Sequence, residues 1–215
     1  MGSQTILDLI GSTMVFGTLM LMVLRINVTQ SETIQMYQGD LLVQQNLVEI
    51  TRLLEYDFKK IGYCSDPTKI SDPTQSIRYA DSVKIKFYTD FPTVDNPQGD
   101  GLLDSLTYYV GPVSEADATP NPRDRLLYRV ENDATPVGVN LGVTEFELKY
   151  YDAFRDSIVS PVTNCAMIQY MQITIQVENL AAADSLSQYF ASTEQAYQKA
   201  FWRQVRLVAR NLRNR

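Results

Sequence analysis

Four oxygen-bearing residues, Asp95, Asn96, Asp100 and Asp104, crowd one short glycine- and proline-containing stretch. Carboxylate and amide oxygens are the donors a hard cation takes, so this stretch is a weak calcium candidate. The spacing does not match an EF-hand, and a solvated acidic turn is the competing reading. No other cofactor is expected. Cys64 and Cys165 are the only cysteines and have no metal-type spacing. If the part of the chain that carries them is exported, they can pair. A bridge closing a loop of about 100 residues is worth on the order of 4–5 kcal/mol. The alternative is two buried thiols; the export suggested by the N-terminal stretch favours the bridge. Histidine is absent, which removes the commonest general base and the commonest metal ligand. Cys64 therefore has no histidine to activate it. The sequence holds no phosphate-cradling glycine loop, nucleophile elbow or motif built on paired carboxylates. The expectation is that the chain is not an enzyme.

Charge narrows the partners further. The net charge is -6 over 215 residues, with a pI of about 4.7. Phosphate binding needs clustered positive charge, so nucleic acid is not expected as a partner. Five arginines between Arg203 and Arg215 read as a solvated or subunit-facing basic edge.

The dominant element lies at the start. Thr5 to Leu24 is apolar and carries one charge, Asp8; Arg25 to Ile61 continues it as an amphipathic pattern. No proline occurs before Pro67, so nothing of that kind interrupts a helix. A helix over the whole stretch is roughly 80–85 Å long at about 1.5 Å per residue. Its upstream half needs a burial place outside the subunit, either a bilayer or a bundle of like helices. Leu9, Ile10, Val15, Phe16, Leu19, Leu21 and Leu24 supply the apolar surface. Gly11 and Gly17 permit close helix contact, as small residues do in membranes. Asp8 sits at headgroup level or caps the helix, or else meets an N-terminal amine on a neighbouring subunit. Further on, Ile34, Tyr37, Leu41 and Val48 form one stripe. Leu47, Ile50, Leu54, Phe58 and Ile61 form a second, rotated stripe suited to packing under a sheet. Gly62 is the expected helix stop.

After Tyr63 the texture becomes β-rich. Asp66-Pro67 and Asp72-Pro73 mark turns. Strands are expected over Ser82–Thr89, Ser105–Val110, Arg125–Glu131, Thr144–Tyr151 and Met167–Val177, from their β-branched and aromatic content. Thr135 to Val143 reads as a turn-rich link, and Glu178 to Lys199 as a polar excursion. Phe201 to Leu212 is ambiguous and leans to a strand. The fold class is α+β: a long N-terminal helix packed on a C-terminal antiparallel sheet. The divisions are 1–30 for the apolar half of the helix, 31–62 for the amphipathic half and 63–215 for the β-rich head.

This plan resembles that of type IV pilins and pseudopilins, and most closely a minor pseudopilin of the J or W type. LLEYDFKKIGYC (53–64) resembles their helix exit, and GDGLLDSLTYYV (99–110) their Asp-Gly loop running into a Tyr-rich strand. DRLLYRVEN (124–132) followed by GVTEFELKYYD (142–152) resembles their paired strands, and VRLVARNLRNR (205–215) their arginine-rich final segment. Such proteins carry a basic leader ending in glycine and a glutamate shortly after it. Here Asp8 stands near the glutamate's place, off by about one residue if cleavage follows Gly2. The resemblance implies a structural subunit of an extracellular filament, polymerising through its N-terminal helix. It implies copies of the same chain and an inner-membrane assembly machinery as partners. It also implies residence in the inner membrane before assembly. The rival expectations are a minor pseudopilin at the tip of a secretion or pilus assembly, and a monomeric membrane-tethered binding module.

Overall fold

The structure, a computed structural model, describes residues 2–180 and 199–207. The chain forms two compact units, residues 1–41 and 42–215. Helix α1, Gly2–Lys59, belongs to the first unit up to residue 41 and to the second beyond it.

In the first unit every residue from 6 to 31 is exposed except the half-buried Gly17. The hydroxyls along this stretch are turned inward on the helix. Thr13 bonds the carbonyl oxygens of Leu9 and Ile10, at 3.0 and 2.9 Å, and Thr18 bonds that of Val15 at 2.8 Å. These hydroxyls are thereby satisfied locally, and from Leu9 to Leu24 the surface left over carries no charge.

The second unit is built on an antiparallel sheet. Its strands are β1 (Ile77–Ala80), β2 (Lys84–Thr89), β3 (Asp104–Val110), β4 (Arg125–Glu131), β5 (Gly138–Tyr151), β6 (Ser157–Ile158), β7 (Tyr170–Glu178) and β8 (Lys199–Leu207). The order is β1-β2-β3-β4-β5-β7-β8, with β6 pairing β5 off this path. Alternation puts one side of each strand inward. Ile85 faces Tyr108, Phe87 faces Leu106, Leu148 faces Ile173 and Phe146 faces Ile175 across neighbouring strands, and all eight are buried. Val43, Ile50, Leu54, Phe58 and Ile61 join the same core from α1 and the turn after it. Phe58 meets Phe87 edge-on at 5.4 Å between ring centroids and Tyr108 at 5.5 Å. Burying each such side chain is worth roughly 1.5–3 kcal/mol.

The second stripe behaves as expected: Ile50, Leu54, Phe58 and Ile61 are buried and Leu47 packs against the core. The first stripe is exposed at Ile34, Tyr37, Leu41 and Val48. Gly62 ends the turn with φ of 71° and donates its N–H to Tyr88 at 2.7 Å. The two Asp-Pro pairs open short 3-10 turns, in which Asp66 and Asp72 accept from the N–H groups of Thr68 and Thr74.

The strand expectations shift in several places: β2 begins at Lys84, not Ser82, β3 begins at Asp104, one residue before Ser105, and the two-residue β6 is not among those expected. β1 has no counterpart in the sequence reading, because a bulge between Ile77 and Tyr79 breaks its alternation and leaves Arg78 and Tyr79 both exposed. β5 starts at Gly138, inside the stretch read as a link. Its turn-type residues are accommodated at a bulge near Gly142, where φ is 74°. β7 begins at Tyr170, not Met167, because the Asn164 side chain caps a 3-10 turn, Cys165–Met167. The final segment is a strand through Leu207. Residues 208–212 of that expectation, and nearly all of the polar excursion, lie outside the described residues.

Candidate functional site

Two parts of the molecule carry what function the sequence suggests: the bare apolar stretch of α1 and the polar staples that fix the head. In the first, Ile6–Ser31 spans 26 residues with a mean hydropathy of 1.9, long and apolar enough to cross a membrane, and none of it is buried. Leu9, Ile10, Val15, Phe16, Leu19, Leu21 and Leu24 are each at least half exposed. A Cβ built on Gly11 or Gly17 meets nothing within 4 Å. Both glycines therefore lie on open helix surface, where a second backbone can approach. Asp8 is exposed two residues into this window.

In the head, Asp57 stands on the buried stripe, three residues after Leu54 and four before Ile61. It is 1% exposed. Its Oδ2 accepts from the Tyr108 hydroxyl at 2.5 Å and from Arg129 Nε at 2.7 Å. Arg129 also pairs with Glu131 and lies 5.3 Å from the Phe91 ring centroid. Register places Tyr108 opposite Arg129, so β3 and β4 together grip one carboxylate of α1. Burial raises the Tyr108 hydroxyl's pKa, and the Asp57 charge and hydrogen bond raise it further. Burial works against the Arg129 charge, yet its bonds to Asp57 and Glu131 prevail and raise its pKa. The signal for this site is a carboxylate in register with an apolar helical stripe, and the sequence reading passed over it.

The second staple is Asp90, which is fully buried. Its carboxylate accepts from the backbone N–H groups of Ser65 at 2.9 Å, Asp100 at 3.0 Å and Gly101 at 3.0 Å. Burial pushes its pKa up, but these hydrogen bonds outweigh it and hold the group below the usual carboxylate range. A Cβ on Gly99, where φ is 106°, would sit 2.1 Å from Asp90 Oδ1. The glycines of GDG are therefore where backbone closes on a carboxylate that lies outside the motif.

That closure sets where the acidic residues go. Asp100 caps Leu102 N–H at 2.8 Å, and Asp104 takes the Phe91 N–H at 3.2 Å and the Asn132 amide at 2.7 Å. The Asn96 carbonyl accepts from Thr93 and Gly99, and Asp95 is exposed. Among the described residues, no three His, Cys, Asp or Glu side chains are gathered as a metal site.

No disulfide joins Cys64 and Cys165, in contrast to the bridge expected for an exported head. Each is held in its own surroundings. Burial raises the Cys64 pKa, a backbone bond with Asp66 opposes this, and Asp90 adds to it. Cys165 Sγ donates to the Val162 carbonyl at 3.8 Å.

Fold and site define an α+β protein with an antiparallel head and an N-terminal helix whose first half is apolar and uncovered. No family model and no curated protein matches the chain. Among solved structures it is similar to a type IV-like pilin from Thermus thermophilus, at 10% identity and a TM-score of 0.43. That match covers 79% of this chain and 97% of the other.

Proposed function

We propose that the chain is a structural subunit of an extracellular pilus-like filament. The observation that carries this reading is the Ile6–Ser31 stretch, with a mean hydropathy of 1.9 and no part of it buried among the described residues. Such a surface is stable in lipid or against copies of itself, and not in water. Monomers reside in the inner membrane through this stretch. An inner-membrane assembly machinery then extracts them, and they pack helix against helix into a homopolymer at the cell surface. Relative to lipid, the gain on assembly is packing and polar pairing; Gly11 and Gly17 provide close approach and Asp8 the polar partner.

The test is negative-stain microscopy of material sheared from the source cells, with mass spectrometry of its main band. Filaments composed chiefly of this chain are the expected result. Absence of filaments, with the chain confined to the membrane fraction, excludes a major subunit. It leaves a tip pseudopilin or a tethered module.

A further inference from the structure

The head carries a constrained aromatic tip and, elsewhere on the same sheet, a groove of mirrored charge. The tip is the turn between β5 and β6. Asp152 Oδ1 accepts from the N–H groups of Phe154 and Asp156, both at 2.9 Å. The backbone closes twice more, from Asp152 N–H to Asp156 O at 3.0 Å and from Arg155 N–H to Asp152 O at 3.1 Å. Within this ring Arg155 adopts φ of 73°, a conformation that side-chain-bearing residues rarely take. Phe154 is left 85% exposed, and Val159, just past β6, 84% exposed. An aromatic fixed on a preorganised turn loses little conformational freedom on docking, which is the character of an interface anchor.

The groove lies on the sheet face away from the core. Lys84, Lys86, Tyr109, Val130, Asp133 and Pro136 line it, around a volume of about 330 Å³. Val130 and Thr107 are its buried lining residues, with the half-buried Tyr109 ring and the exposed Pro136 beside them. The Lys84 ammonium stands 5.3 Å from the Tyr109 ring centroid and 5.8 Å from that of Tyr79. No ion pair among the described residues engages Lys84, whereas Lys86 pairs with Asp133 at 2.7 Å. The tip presents two carboxylates around one guanidinium; the groove presents two ammonium groups around one carboxylate.

We propose that Phe154 of one copy seats in this groove on a second copy, with Asp156 on Lys84 and Arg155 on Asp133. Tip and groove are different patches of one head, so the contact is head-to-tail. A head-to-tail contact whose rotation does not close propagates as a helix. The inference rests on the filament reading and names the contact between heads.

The test replaces Phe154 with photoactivatable benzoylphenylalanine in the full chain expressed in the source cells. Irradiation is expected to give a ladder of cross-linked chains, with the adduct mapped to peptides spanning 84–86 or 130–136. Lys84→Glu should lower the cross-link yield at least tenfold, and adding Asp156→Lys to the same chain should restore it. Filaments that form with no adduct at the groove overturn this contact and leave the filament reading standing. Adducts at the groove without filaments support the contact and overturn that reading. Membrane-bound monomer with neither overturns both.

Discussion

At the residue scale the head depends on three buried carboxylates that behave differently. Asp90 takes three backbone N–H groups, so its charge is matched where it is made. Asp90→Ala leaves those donors without their acceptor and should cost about 3 kcal/mol in urea unfolding. Its folded pKa is depressed, so its contribution is fully present above the unfolded value of about 3.9 and is lost as pH falls through the folded one. The gap between wild type and variant should therefore narrow as pH falls from about 3.9 through the folded value. Asp57 needs Arg129 for the same reason. Arg129→Met strands a buried charge, and a loss of about 3–5 kcal/mol is expected, read as a lowered urea midpoint. Asp124 is the opposite case. Burial raises its pKa, the Glu178 charge raises it further, and the Thr119 hydroxyl only partly opposes them. Its folded pKa exceeds the unfolded one. The associated stability is present below about pH 3.9 and lost as pH rises through the folded value. Asp124→Asn should remove that slope, and urea titrations at stepped pH will show it; identical slopes would contradict the account.

At the scale of elements, α1 has two faces of different origin. From Leu47 on, the stripe is complementary to a sheet and is covered by it. From Ile6 to Ser31 none of the helix is buried among the described residues. A carboxylate introduced at Leu19 falls near the middle of that window and costs about 3 kcal/mol in a bilayer, on the order of a hundredfold in partition. Leu19→Asp should therefore move the chain from the membrane to the soluble fraction in flotation assays; unchanged flotation would show that the window is not the anchor. Asp8→Ala distinguishes assembly from anchoring. A filament subunit should lose filaments while inserting as well as before, whereas a simple anchor should show no phenotype in microscopy.

At the scale of the whole molecule, elements with a strong local period were legible without coordinates. Helix α1 to within three residues of Gly62, the β4 boundaries and the strand character of the final segment follow from hydrophobic period and turn chemistry, which are local. The α+β class follows from their order along the chain. β1 and the first half of β5 were not legible, because bulges break the alternation that marks a strand. The two staples show the limit more sharply. Asp57 is an ordinary helix carboxylate until β3 and β4 bring Tyr108 and Arg129 over it. Asp90 is an ordinary strand end until the GDG backbone and Ser65 fold onto it. The acidic loop shows the same limit: Asp100 and Asp104, grouped in sequence, each accept from a different backbone N–H, of Leu102 and of Phe91. What the sequence by itself determined are the elements, their order and the apolar surface of α1, since each depends on side chains a few positions apart. Which carboxylates are buried, what neutralises them and where a groove opens were decided by tertiary structure alone, since those partners lie as many as 72 positions away and only the register of strands brings them together.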